Sequence, residues 1–214
     1  MVFFRFARFR ADGTAAFSVP FGNGGSDHSF LAEQSGGRLL IREWRSSPLS
    51  SSIARWTLDG AVDATFQRIA VSPYETVRVR PLANGRLLVA DESLRWFEAD
   101  GAPIPGWPVY PLTMSTGGLP YGYRSTTLFE DSQGRIVLGG SLQMGLQRFL
   151  PDGSRDATFF IGTGVQPYYN GVQMVPAQDG TGHYYGIGLS TLNDLPLPPL
   201  FRLFAEGSAS PRQP

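Results

Sequence analysis

One short phrase recurs five times along this chain: an Arg, usually followed by an aromatic residue, and then an acidic residue with a Gly directly after it. The acid–Gly pairs are about 40 to 55 residues apart. The five pairs are Asp12-Gly13, Asp59-Gly60, Asp100-Gly101, Asp152-Gly153 and Glu206-Gly207. Periods of this size are typical of repeat proteins, in which each supersecondary unit buries its apolar face only against its neighbours.

A second phrase alternates with the first: Gly-Arg followed by an apolar run of strand length. Intact copies begin at Gly37, Gly85 and Gly134, and a degenerate copy begins at Gly182. A polar turn precedes each copy, and a further strand candidate precedes each turn. These candidates are residues 28–33, 76–82, 125–130 and 172–177.

One full unit therefore contains four predicted strands. In the second unit they are residues 76–82, 86–90 and 94–98 and the segment after Asp100-Gly101. Four-stranded antiparallel units of about 40–50 residues, repeated around an axis, form the blades of a β-propeller. We predict an all-β, β-propeller-like fold with about four to five blades and almost no α-helix. A stack of flat sandwiches is the alternative.

The composition agrees with many short strands joined by tight turns, since the chain has 26 Gly, 17 Pro and only 17% charged residues. The formal net charge is zero, so nothing favours a nucleic-acid or membrane partner. Cysteine is absent, which excludes disulfides and thiolate metal sites. Arg residues interrupt the apolar start of the chain, so we predict no signal peptide there.

Two stretches of the chain resemble the delta-60 repeat family, whose signature is Asp-Gly-Ser-x-Asp-x-x-Phe. They are residues 59–66 and 152–159, and residues 134–140 resemble the second signature of the family. The resemblance extends over most of the chain, from about residue 8 to residue 207. It implies bacterial, mostly secreted or cell-surface proteins with a propeller-like architecture and no general enzymatic activity. After Asp12-Gly13 and Asp100-Gly101 the second acid is missing, and the last copy has Glu206 in place of Asp.

The repeats do not add up to a closed ring. The chain has four inner strand pairs but five outer phrases, so we predict an incomplete ring. The open sheet edges of such a ring are predicted to make the chain associate with itself. The alternative is that the chain is part of a larger propeller. We predict one propeller-like repeat domain over residues 1–207 and a disordered tail at residues 208–214.

Two pairs of acids flank the best-preserved turns: Asp59 with Asp63, and Asp152 with Asp156. Oxygen-only loops of this kind can hold calcium, which is the one cofactor that the sequence suggests. The structural interpretation is favoured: the first Asp caps the turn, and the second starts the next strand. The Arg that precedes each first acid, usually by four residues, is predicted to pair with it.

The innermost strands of a propeller line its channel, and their entrances meet on one face. At these entrances the chain has polar residues that differ from one repeat to the next, which is what an asymmetric site needs. We predict catalytic roles for Asp27, His28 and Glu75. Aromatic and polar residues near two of the entrances are predicted to bind a ligand: Tyr123, Arg124, Tyr169 and Asn170.

Two functions stay open at this point. The first is a binding module of an exported bacterial protein, which takes up a small polar molecule, a carbohydrate or another protein at the loop face. The second is a hydrolase of esters, lactones or phosphotriesters with an axial polar site and possible help from a cation. Neighbours along a strand point to opposite faces, so Asp27 and His28 are poorly placed for a catalytic relay.

Overall fold

The computed structural model describes residues 5–20, 26–74, 76–112, 125–140, 146–159, 166–167, 173–177, 181–187, 189–192, 195–197 and 199–205. The chain divides into two compact units, Met1–Val109 and Tyr110–Pro214. The expectation of a single domain over residues 1–207 stays a prediction, and the tail at 208–214 lies outside the described residues. Within the described part, no helix has the length and apolar character that a bilayer crossing requires.

The first unit is built from antiparallel strands. They are β1 (Arg5–Phe9), β2 (Ala15–Pro20), β3 (Ser26–Glu33), β4 (Leu39–Ser46), β5 (Leu49–Trp56), β6 (Ile69–Val71), β7 (Arg78–Pro81), β8 (Leu87–Ala90) and β9 (Ser93–Phe97). β1 pairs with β2, and β3 to β6 form a four-stranded sheet in chain order. β8 lies between β7 and β9. The four-stranded antiparallel unit predicted from the sequence is therefore confirmed.

Apolar residues occupy both faces of the central strand β4, because sheets pack on both of its sides. Leu40 belongs to a core cluster with Leu87 and Val89 of the next sheet along the chain. Leu39 and Ile41 point the other way, where Phe17 of β2 packs against their cluster. Burial on two faces gives a continuous apolar run instead of an alternating one. The run after Gly37-Arg38 has this form.

The second unit repeats the same construction. Its strands are β10 (Tyr110–Pro111), β11 (Ser125–Glu130), β12 (Ile136–Gly140), β13 (Leu146–Phe149), β14 (Gln166–Pro167), β15 (Gln173–Pro176), β16 (Tyr184–Ile187), β17 (Leu189–Leu192), β18 (Leu195–Pro196) and β19 (Leu200–Leu203). β11, β12 and β13 form one sheet, and β15, β16 and β19 form the next. Their facing sides share one core cluster, in which Phe129 and Val137 meet Tyr184 and Leu203.

One element of the second unit was not expected from the sequence. Between β16 and β19 the chain makes a short excursion, in which β17 pairs with β14 and with β18. By contrast, the near absence of helix is confirmed for the described residues, whose one helical element is a 3₁₀ turn at Ser35–Gly37.

The glycine of the acid–Gly pair is needed for two separate reasons. Gly60 and Gly101 have φ of +86° and +87°, a region that L side chains rarely adopt. In addition, the aromatic ring of the preceding repeat packs directly on each of them. A Cβ on Gly60 would lie 2.7 Å from the ring of Phe17, and one on Gly101 would lie 2.8 Å from the ring of Phe66. The aromatic residue of one repeat thus packs on the turn of the repeat that follows it.

We predict that Gly101→Ala destabilises the chain far more than Gly13→Ala. Both residues have positive φ, but a Cβ on Gly13 meets nothing within 4 Å, whereas one on Gly101 overlaps Phe66 and the backbone carbonyl of Gln67. We expect a loss of about 1–2 kcal/mol for Gly13→Ala from backbone strain alone. Overpacking adds about 1–3 kcal/mol for Gly101→Ala. Urea unfolding measures both, and equal losses would contradict the packing role of Gly101.

Candidate functional site

Two buried arginines hold equivalent positions in two repeats, and each forms an ion pair with an Asp eight residues later. Arg55 Nε donates to Asp63 Oδ2 at 2.8 Å, and Arg148 Nε donates to Asp156 Oδ2 at 2.7 Å. The sequence predicted that these arginines pair with Asp59 and Asp152, the first acids of their phrases, and for these two arginines the prediction is wrong. The backbone N–H of Asp63 returns to the carbonyl of Arg55, which brings the second carboxylate under the guanidinium.

The second oxygen of each of these carboxylates is used inside its own turn. Asp63 Oδ1 accepts hydrogen bonds from the hydroxyl of Thr65 at 2.6 Å and from its backbone N–H at 2.9 Å. The Thr65 hydroxyl is the main reason why the pKa of Asp63 falls to about 2, and Arg55 contributes to the same effect. Burial alone would raise the pKa of Asp156, but hydrogen bonds from Thr158 and Arg148 lower it below its ordinary value.

Asp59 and Asp152, the first acids of their phrases, each cap their own turn. Asp152 Oδ1 accepts from the backbone N–H of Ser154 at 2.9 Å and from its hydroxyl at 2.6 Å. Asp59 accepts from the hydroxyl of Thr57. These bonds lower the pKa of both carboxyls, with the side-chain hydroxyl as the main cause. Calcium at these turns stays a prediction. Among the residues that the structure describes, no group of three or more acidic or His side chains is placed to hold a metal ion.

Each buried arginine also reaches forward to the next repeat. Arg55 Nη1 donates to the carbonyl of Ala99 at 2.8 Å, and Arg148 Nη1 donates to the carbonyl of Ala205. Ala99 and Ala205 are equivalent, because each directly precedes an acid–Gly pair. The guanidinium is also stacked on the aromatic residue of its own repeat: Arg148 lies 4.5 Å from the ring centroid of Phe159. We call this arrangement the forward clamp, since it ties one sheet to the turn of the next.

In the second unit the clamp joins a wider buried network around Tyr184. The Tyr184 hydroxyl donates to Asp131 Oδ2 at 2.9 Å and accepts from Arg148 Nη1 and Arg135 Nη2, both at 3.2 Å. Burial raises the pKa of Tyr184 above its ordinary value. We missed this network because Gln34 and Leu87 hold the positions of Asp131 and Tyr184 in the first unit. The spacing of Asp131 and Arg135 was the available signal, since the two pair at 2.7 Å.

Asp156→Asn tests the clamp, and Asp152→Asn is its matched control in the same turn. Removing the charge of Asp156 leaves the buried guanidinium of Arg148 without its ion pair, so we expect a loss of about 3–5 kcal/mol in the free energy of unfolding. Asp152 is exposed and only caps the turn, so its loss should stay within about 1 kcal/mol. Chemical denaturation of both variants measures the difference. Losses of similar size would contradict the clamp.

The depressed pKa of Asp63 predicts a dependence of stability on pH. Its pKa is about 2 in the folded chain against 3.8 ordinarily, so the stabilisation is fully present above about pH 4 and is lost as the pH falls toward 2. Thr65→Val removes the hydroxyl that lowers this pKa most. We expect the stability difference between wild type and Thr65→Val to be largest near neutral pH and to shrink between pH 4 and 2. A difference that does not vary with pH, measured by denaturation across this range, would refute the assignment.

Asp27 and His28 are adjacent on β3, and their side chains make different contacts. The carboxylate of Asp27 accepts a hydrogen bond from the backbone N–H of His28 at 2.8 Å. The His28 ring is half-buried and lies edge-on to Trp56, with the ring centroids 5.5 Å apart. Glu43, the cross-strand partner of His28, accepts from Trp56 Nε1 at 3.3 Å and pairs with Arg68.

The other residues proposed for the loop face lie outside the described residues. They are Glu75, Tyr123, Arg124, Tyr169 and Asn170. Their catalytic and ligand-binding roles stay predictions, as do those of Asp27 and His28.

A surface of the second unit, which the sequence analysis missed, has the character of a binding site. Four apolar side chains share one face of the β15–β16–β19 sheet and are 38–63% exposed. They are Val175, Tyr185, Ile187 and Leu200. We call this surface the forward face of the sheet. A groove of about 490 Å³ runs along it, and Thr127, Phe129 and Gln173 also line this groove.

The same face is fully covered in two other repeats. Tyr185 lies opposite Arg202 in its sheet, just as Leu40 lies opposite Arg55 and Val137 lies opposite Arg148. Leu40 and Val137 have no exposed surface, because the next sheet along the chain packs on them. The sequence signal for this surface was the run from Tyr184 to Ile187, which has no charged residue on either face of the strand. Such a run is typical of a strand that is buried on two sides.

Comparisons with known proteins support the architecture. Residues 132–159 match the family model described as "Domain of unknown function (DUF5122) beta-propeller". A protein of unknown function from Bacteroides caccae is similar over 96% of this chain and 73% of its own, at 14% identity and a TM-score of 0.53. The fold is β-propeller-like. The prediction of fold class is therefore confirmed, whereas the finer assignment to delta-60 repeats rests on the sequence signature alone.

Two further solved structures show a weaker likeness. One is a catalytically inactive virginiamycin B lyase from Staphylococcus aureus with quinupristin, at 10% identity and a TM-score of 0.45; it covers 86% of this chain. The other is a calcium-binding protein, regucalcin, from Agrobacterium tumefaciens, at 16% identity and a TM-score of 0.39; it covers 76% of this chain. This chain spans 59% and 53% of their lengths. No curated protein sequence matches the chain.

Proposed function

We propose that this chain is a protein-binding module of a β-propeller-like repeat protein, and that the forward face of the β15–β16–β19 sheet is its docking surface. The observation that carries the proposal is the exposure of Val175, Tyr185, Ile187 and Leu200 on one face, because the same face buries Leu40 and Ile53 in one repeat and Val137 and Leu146 in another. Export of the parent protein is part of the proposal and rests on the delta-60 resemblance. Binding of a small polar molecule or a carbohydrate at the loop face stays a separate prediction.

The chemistry of this face favours an apolar polypeptide surface over a polar ligand. Three of its four side chains are aliphatic and offer no hydrogen bonds. Burial of such surface contributes about 25 cal/mol for each Å² removed from water. Arg202 lies across from Tyr185, with its guanidinium 5.8 Å from the ring centroid. Contiguous exposed apolar patches on a folded protein mark sites of interaction.

The β-sheet surface of a partner fits this face better than a helix does. The equivalent faces that carry Leu40 and Val137 are both covered by another sheet, and the facing sheets pack aliphatic and aromatic side chains together. Face-to-face sheets lie about 10 Å apart, a spacing that the exposed side chains are sized to fill. The partner we propose therefore presents a sheet with apolar residues at alternate positions.

The dye 1-anilinonaphthalene-8-sulfonate tests whether the forward face is an accessible apolar site. We expect the dilute wild-type chain to enhance its fluorescence, and Leu200→Lys to reduce that enhancement at least twofold, because a charge enters the centre of the face. Val109→Lys is the matched control, since Val109 is 60% exposed and Leu200 is 63% exposed. Equal fluorescence from wild type, Leu200→Lys and Val109→Lys would sink the proposed docking surface.

A further inference from the structure

We infer that the occupant of the forward face is a second copy of this chain, docked through its β1–β2 sheet. This inference rests on the proposed function and names its partner. The exposed face that carries Tyr185 and Leu200 on one copy packs against the exposed side of the β1–β2 sheet, which carries Phe9, on the next copy.

Phe9 is the exposed member of a set of equivalent residues that are otherwise buried. Each member lies three residues before the acid of the recurring phrase, and the others are Trp56, Phe97, Phe149 and Leu203. Those four are at most 8% exposed, whereas Phe9 is 64% exposed. The chain therefore has an uncovered aromatic residue at a position that the repeat is built to bury.

The two exposed surfaces face opposite directions along the series of repeats: one faces the following repeat and the other faces the preceding repeat. Trp56 and Leu203 point backward: Trp56 lies in the cluster that Phe17 of the preceding sheet covers, and Leu203 lies in the cluster with Val137 of the preceding sheet. Phe9 shares their position, so it marks a backward face. Tyr185 shares the position of Leu40 and Val137, so it marks a forward face. A forward face meets a backward face at each of these junctions, and a second copy offers both.

The opposite side of the β1–β2 sheet is already in use. Phe17 of β2 packs against the cluster of Leu39 and Trp56, and Arg8 donates to the carbonyl of Gly37 at 3.2 Å. The side that bears Phe9 is thus the one through which β1–β2 can bind another sheet. The contact is heterologous, because it joins two different surfaces. Such contacts close into rings when the rotation between copies allows it, and otherwise grow as open chains.

The experiment is a complementation test by sedimentation velocity over roughly 1–100 μM, the range in which interfaces of modest size associate. We expect the wild-type mass to rise with concentration. Phe9→Lys and Leu200→Lys should each stay monomeric alone, since each lacks one of the two faces. Mixed in equal amounts, they should form dimers and nothing larger, because the intact forward face of one binds the intact backward face of the other. Val109→Lys, with the same change of charge, should associate like wild type.

The outcomes separate the possible failures. A wild-type chain that stays monomeric over the whole range overturns the second copy as occupant, while a positive dye result leaves the docking surface in place for another protein. Phe9→Lys that associates like wild type overturns the head-to-tail arrangement, since the forward face would then meet a different surface. Circular dichroism of each variant checks folding, which exposed substitutions at Phe9 and Leu200 should not disturb.

A second measurement uses the absence of cysteine from the chain. Phe9→Cys and Leu200→Cys each introduce the single thiol of their copy. On mild oxidation of the mixture, we expect the heterodisulfide between the two variants to exceed either homodisulfide severalfold. A heterodisulfide yield of only about twice that of either homodisulfide, as random collision would give, overturns the proposed contact.

Discussion

The forward clamp is the interaction on which the repeat architecture depends. A guanidinium has five N–H donors and is costly to bury unless they are met. Arg55 meets this requirement through Asp63, Thr65 and the carbonyl of Ala99, with the ring of Phe66 4.9 Å from its centre. Since Ala99 belongs to the next sheet along the chain, the charge can be satisfied only when two successive sheets are correctly placed. The clamp therefore specifies the junction between sheets as well as stabilising it.

The clamp also explains the repeated signature letter by letter. The first Asp caps the turn, and the Gly adopts positive φ and receives the aromatic ring of the preceding repeat. The second Asp anchors the Arg of its own repeat, and the Thr two residues later fills the remaining carboxylate oxygen. The closing Phe stacks under the guanidinium. Both oxygens of the second Asp, the Thr hydroxyl and the guanidinium are bonded within the motif or to the next turn, which accounts for the recurrence of these residues in structural terms.

The sequence predicted the parts that local rules control and failed where distant segments meet. Residues 86–90 and 94–98 were correctly predicted as strands, because apolar runs and acid–Gly turns are local signals. The partner of Arg55 was wrong, because the choice between Asp59 and Asp63 depends on how the chain returns across the strand after the turn. The Tyr184 network joins the turn between Asp131 and Arg135 to β13 and β16, and the sequence spacing indicates only the pair of Asp131 and Arg135. The exposure of Tyr185 depends on what packs against its sheet, which a single repeat does not encode.

The direction of the clamp gives the array a polarity, and this polarity constrains what can bind at its uncovered faces. Arg55 and Arg148 both reach from their own sheet to the turn of the following one. A forward face carries the side chains opposite these arginines, whereas a backward face carries the residues that directly follow them. The two faces differ in residue type and in the position of the arginine, so neither is complementary to itself. A symmetric contact of one forward face with another would bring two arginines together and would leave both backward faces exposed. Association in one direction, forward face to backward face, is the arrangement that reproduces the junctions already present inside the chain.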